Sequence, residues 1–129
     1  MRYCIFATGM KGHCTLKNLD HKNFPEFVVS YDNGEADQFD KIKSFCKENQ
    51  IKMIDRKTAK KKSYSHIDKI FAIGWQFFIK HNHEKLVVLH DSYLPYKRGF
   101  APTVCTLQAG EENLGVTAFI PDAIVNEPD

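Results

Sequence analysis

Leu86-Val87-Val88-Leu89-His90-Asp91-Ser92-Tyr93-Leu94-Pro95-Tyr96-Lys97-Arg98-Gly99-Phe100-Ala101-Pro102 is the stretch on which the fold turns. Its first four residues form a fully apolar run, and such a run, short and bounded by polar residues, is a strand covered on both faces. It ends at His90. The loop from Asp91 to Pro102 is rich in Pro, Gly, Tyr and Arg, residues that bend and punctuate the chain. A strand covered on both faces belongs to a parallel sheet between helices. In such a sheet the chemistry collects where strands end and loops begin.

Upstream the same alternation recurs. Arg2 to Thr8 is an apolar first strand, after which Gly9 and Gly12 bracket an expected tight turn and Thr15 to Leu19 a short helix. Phe27 to Tyr31 is a second strand, stopped by the turn signal Asp32-Asn33-Gly34. From Asp37 to Asn49, Phe39, Ile42 and Phe45-Cys46 recur at helical spacing with charges between them. Ile51 to Ile54 and Asp68 to Trp75 read as strands, and Phe77 to Ile79 as a short helix or turn. Downstream of the loop, Thr103 to Ala109 reads as a helix stopped by Gly110, and Leu114 to Ile120 as a last strand. Strands alternating with helices define an α/β fold with a mostly parallel sheet. With no repeat and no composition break, residues 1–129 read as one domain.

Composition narrows the classes. Hydrophobic residues make up 43% and charged residues 26% of the chain, the balance of an ordinary globular domain. No apolar run reaches the roughly 20 residues a membrane-spanning helix needs. The opening residues lack the long apolar stretch and small-residue cleavage site of a signal peptide, so a cytoplasmic location is expected. Cys4, Cys14, Cys46 and Cys105 show no metal-type or disulfide-framework spacing and read as reduced thiols. His81, His83 and His90 lack a completing Cys or carboxylate at ligand spacing, so no metal site is expected.

Arg56, Lys57, Lys60, Lys61 and Lys62 crowd seven residues of a chain whose net charge is only +2. They could meet nucleic-acid phosphates or an acidic protein surface. Without periodicity, the segment reads first as an exposed, solvated loop. Gly9-Met10-Lys11-Gly12 lacks the full glycine pattern of a dinucleotide-binding turn.

The quoted stretch, followed by Gly110-Glu111 and Gly115-Val116-Thr117, closely resembles the 10-formyltetrahydrofolate-dependent formyltransferases. The resemblance rests on His90, Ser92, Leu94, Pro95, Arg98, Gly99, Pro102, Gly110, Glu111, Gly115, Val116 and Thr117 at matching gaps, supported by Ile73-Gly74-Trp75 and the opening glycines. It implies a Rossmann-like formyltransferase fold, shortened at the C-terminus because the family's final strand and loops find no match. It also implies 10-formyltetrahydrofolate as donor, with a small-molecule amine as acceptor. His90 would donate a hydrogen bond to the oxyanion that develops on the formyl oxygen. Asp129 would stand for the family's carboxylate if three residues are inserted; a straight count reaches Asn126. Ser92, Leu94, Pro95, Arg98 and Gly99 would form the substrate-binding loop.

One departure opens a second function. The family's catalytic Asn falls at Val88, and valine has no hydrogen-bond donor. Loss of one oxyanion donor typically costs about a hundred- to a thousand-fold in rate. Two functions therefore stand side by side: a formyltransferase, or a formyltransferase fold that has lost catalysis and binds a protein partner, as an inhibitor or toxin-immunity protein does.

Overall fold

The computed structural model describes residues 1–77, 79, 83–90 and 117–119. The chain divides into two units, Met1–Trp75 and Gln76–Asp129.

The first unit is a four-stranded parallel sheet with helical crossovers. Its strands are β1 (Tyr3–Ala7), β2 (Phe27–Val29), β3 (Lys52–Ile54) and β4 (Lys69–Ile73). The spatial order is β3-β2-β1-β4. β1 pairs with β2 through Cys4–Phe27, Ile5–Val28 and Phe6–Val29, and with β4 from Tyr3–Lys69 to Ala7–Ile73. Cys4, Ile5, Val28, Val29 and Ile70 are all 0–2% exposed. Each of the Ile and Val side chains among them contributes about 1.5–3 kcal/mol by leaving water. Strands apolar on both faces are thus sandwiched, as the sequence predicts.

The alternation along β1 separates the two faces. Ala7 lies under α1 (Gly9–Lys17): a Cβ added to Gly12 would stand 2.9 Å from Ala7 Cβ, so glycine lets helix and strand approach closely. Phe6 points the other way, its ring 6.4 Å from that of buried Tyr64. α1 therefore begins at Gly9 rather than near Thr15. Gly12 lies inside the helix, where close packing on the strand replaces the side-chain burial it lacks, and Gly9, at φ +69°, opens the helix.

α2 (Ala36–Glu48) buries Ile42 and Cys46 one turn apart, as its spacing predicts. It closes with Gln50 at φ +57° and the Ile51 amide donating to the Cys46 carbonyl at 2.8 Å. This left-handed cap satisfies the last carbonyls.

The basic segment departs from the expected loop: Arg56–Lys61 is a helix, α3. Asp55 caps it, its Oδ1 accepting from the Thr58 amide at 2.7 Å. Ala59 is buried beneath it, and the Tyr64 hydroxyl donates to the Ala59 carbonyl at 2.8 Å. The cap and one small apolar residue facing the sheet make a helix that a search for periodic hydrophobic positions misses.

In the second unit, a 3-10 turn (His83–Lys85) leads into β5 (Leu86–His90). β5 pairs antiparallel with β6 (Thr117–Phe119): Val88 faces Phe119, Leu89 faces Ala118 and His90 faces Thr117. The expected helix Thr103–Ala109 lies outside the described residues. Among the described residues, no helix is long and apolar enough to cross a membrane.

Candidate functional site

From β1 the chain steps outward to β2 and β3, then returns to place β4 on the other side of β1. The carboxyl ends of β1 and β4 therefore form the switch point at which ligand crevices open in α/β sheets. Thr8 and Gly74 meet there. The Thr8 amide donates to the Ile73 carbonyl at 3.3 Å, and the Thr8 hydroxyl donates to the Gly74 carbonyl. Gly74 has φ +65°, and a Cβ placed on it would lie 2.6 Å from the Thr8 carbonyl oxygen. Only glycine fits, for both conformational and steric reasons.

Neighbouring strand ends build out from this clamp. Ser30 leaves β2 with its hydroxyl donating to the Ala7 carbonyl at 2.7 Å and its amide donating to the Ile54 carbonyl at 3.2 Å. These bonds join three strands at the point where β2 ends, at Val29 rather than Tyr31. Tyr31, half-buried, then stands edge-to-face with Trp75 at 5.1 Å, and Trp75 packs against Phe6 at 5.0 Å. The Arg56 guanidinium lies 5.2 Å from the centre of the Tyr31 ring. Burial pushes the Tyr31 hydroxyl's pKa up, and Arg56 opposes that rise.

The segment 32–35 turns as expected, with the Gly34 amide donating to Asp32 Oδ1 at 3.0 Å and Gly34 at φ +98°. It delivers Glu35 toward Gly9: a Cβ on Gly9, itself at φ +69°, would fall 2.5 Å from Glu35 Oε2. The Asn33 side-chain amide donates to the same oxygen at 3.3 Å. Burial pulls the Lys11 pKa below the ordinary lysine value, against the raising influence of the Glu35 carboxylate. The arrangement offers half-buried aromatic rings, hydroxyls and charges of both signs at the ends of parallel strands. A separate shallow groove lined by His13, Asp40, Lys41, Ser44, Phe45 and Glu48 belongs to the layer of α1 and α2, not to the strand ends.

In the second unit, His90 is the last residue of β5 and lies opposite Thr117. Two pieces of the sequence signature, 27 residues apart by number, are thus adjacent in one ladder. Val88, at the place of the family's Asn, lies two positions earlier in the same strand. Ser92, Leu94, Pro95, Arg98, Gly99 and Asp129 lie outside the described residues. Among the described residues, no cluster of three His, Cys, Asp or Glu side chains could hold a metal ion. Cys4, Cys14 and Cys46 are free thiols, and burial pushes the Cys4 pKa up to about 12 and that of Cys46 to about 11.

Sequence reading had not singled out Thr8, Tyr31 or Glu35, and had noted Arg56 only as part of the basic run. The available signal was a glycine directly after each of two apolar strands, at Gly9 and Gly74.

This architecture, a Rossmann-like α/β fold with a mostly parallel sheet between helices, is that of the formyltransferases. No family model and no curated protein matches the sequence. Among solved structures, phosphoribosylglycinamide formyltransferase from Streptococcus pneumoniae TIGR4 superposes with a TM-score of 0.74 at 16% identity, over 99% of this chain and 78% of that one. The enzyme of the same name from Anaplasma phagocytophilum gives 0.73 at 16% identity, over 97% of this chain and 66% of its own. WlaRD, a sugar 3N-formyl transferase determined in the presence of dTDP and 5-N-formyl-THF, gives 0.66 at 20% identity. This chain is covered over 97% there and spans 47% of that protein. At these identities the likeness establishes the fold. It agrees with the resemblance read from the residues around His90.

Proposed function

We propose that the chain binds a 10-formyltetrahydrofolate-type donor and transfers its formyl group to an amine. The observation that carries this reading is the placement of His90 at the end of β5, opposite Thr117, so that two parts of the formyltransferase signature share one ladder. In the proposed step, the amine lone pair forms a bond to the formyl carbon and the carbonyl π pair moves onto oxygen. His90 donates a hydrogen bond to that oxygen. Collapse restores the carbonyl, breaks the bond to the donor nitrogen and leaves the formyl group on the amine. The proton lost by the amine passes through Asp129 to the departing nitrogen. Ser92, Leu94, Pro95, Arg98 and Gly99, which follow His90 in the sequence, hold the substrates.

Calorimetry with 10-formyltetrahydrofolate tests the donor. Binding at sub-millimolar concentration is expected, and no heat at millimolar ligand would remove the proposal. His90→Ala is expected to abolish turnover while leaving the thermal melt within a few degrees of wild type. Val88→Asn restores a donor two residues before His90 and is expected to raise formyl transfer by about a hundred-fold or more. Val88 also supports the second reading, a binding module without catalysis. Donor binding with no turnover in either the wild type or the Val88→Asn variant would favour it.

A further inference from the structure

We propose that α3 is a docking surface for the phosphate backbone of a nucleic acid. Lys57, Lys60 and Lys61 are exposed and stand at positions i, i+3 and i+4 of one short helix. That spacing puts them on a common face, where like charges destabilise the helix they sit on. No carboxylate among the described residues forms an ion pair with any of them, the ion pair found there being Arg2–Glu26 at 4.0 Å. The Asp55 carboxylate at the start of the helix accepts from the Thr58 amide, and of the three lysines it is Lys57, not Lys60 or Lys61, whose charge acts on it.

The flanking cations are committed inward. Arg56 lies over Tyr31 at 5.2 Å, and the Lys62 ammonium lies 4.8 Å from the centre of the buried Phe27 ring. Together with buried Ala59 and the Tyr64–Ala59 hydrogen bond, these contacts hold the helix in place. The three lysines are therefore presented on a fixed support. Their segment carries five of the chain's eighteen basic residues, more than the whole net charge of +2. A polyanion relieves their mutual repulsion and gains from counterion release.

Nucleic acid is favoured over an acidic protein by what the surface lacks. Protein interfaces depend on buried aromatic or aliphatic anchors, and the exposed large hydrophobic residues among those described are Met1, Met10 and Phe77, none of them on α3. Tyr64 is 3% exposed and Phe27 is 2% exposed, so neither can stack on a base. Contacts are therefore to phosphates, without sequence preference. The inference goes beyond formyl transfer and does not depend on it.

Fluorescence anisotropy with a labelled mixed-sequence RNA duplex of about 20 base pairs tests it. The full chain is expected to bind at or below about 100 μM in about 50 mM salt. Three phosphate contacts predict a loss of about 40-fold on raising salt to about 200 mM. Replacing Lys57, Lys60 and Lys61 together by Ala should remove at least tenfold of the affinity and flatten the salt dependence. The same exchange at Lys41, Lys43 and Lys47, exposed on α2, should change it less than twofold. Removing like charges does not threaten the helix, and a thermal melt verifies the fold. No binding at about 50 mM salt, equal losses from the two triple variants, or tighter binding of poly-glutamate than of the duplex would each overturn the proposal. The last result would assign the surface to an acidic protein.

Discussion

Replacing Gly74 by alanine separates two costs that coincide at the switch point. The first is conformational: φ is +65°, and a left-handed residue bearing a Cβ costs roughly 1–2 kcal/mol. The second is steric. The new Cβ would lie 2.6 Å from the Thr8 carbonyl oxygen, a backbone atom tied into the sheet by the hydrogen bonds of Thr8. A shift of several tenths of an ångström would have to pass into β1 and β4, and strain of this kind typically adds about 1–3 kcal/mol. The sum is a loss of about 2–5 kcal/mol. Gly34→Ala provides the comparison, because Gly34 has φ +98° and nothing within 4 Å of the added Cβ. It should bear the conformational cost alone, about 1–2 kcal/mol. Urea unfolding followed by far-UV circular dichroism measures both. If Gly74→Ala is no more destabilising than Gly34→Ala, the clamp between Thr8 and Gly74 is not rigid. The account of the switch point then fails.

Tyr64→Phe leaves the Ala59 carbonyl without its hydroxyl partner and should cost about 1–2 kcal/mol in the same assay; an unchanged midpoint would mean that packing alone secures α3. Asp55→Ala should destabilise the chain near neutral pH. Because the Thr58 amide bond holds the Asp55 pKa below its usual value, this stabilisation is full above the ordinary carboxylate pKa. It fades as pH falls through the lower, folded value. The gap between wild-type and Asp55→Ala melting temperatures should therefore narrow as pH falls below the ordinary carboxylate range, and a gap that does not narrow with falling pH would exclude the charged cap as its source.

The sheet was readable because its strands are short, apolar and separated by turn residues, so that local composition and burial coincide. β1 and β4 are each found within a residue or two of where the apolar runs place them, and α2 follows from Ile42 and Cys46 one turn apart. α1 and α3 were misread for opposite reasons. In α1 the two glycines read as a turn, but Gly9, at φ +69°, opens the helix and Gly12 serves the close approach of helix to strand. In α3 a run of lysines hides a helix held by one cap and one buried alanine.

By itself, the sequence determined the α/β class, the order of its strands along the chain and the formyltransferase likeness around His90. Each of these depends on residues near one another along the chain or on gaps between short motifs. Tertiary structure alone decided that Thr8 locks onto Gly74, that Tyr31, Arg56 and Trp75 gather at one sheet edge, and that His90 lies beside Thr117. Such meetings follow from which strands become neighbours. That choice is made by burying the apolar faces of the whole sheet together, and no local run of residues encodes it.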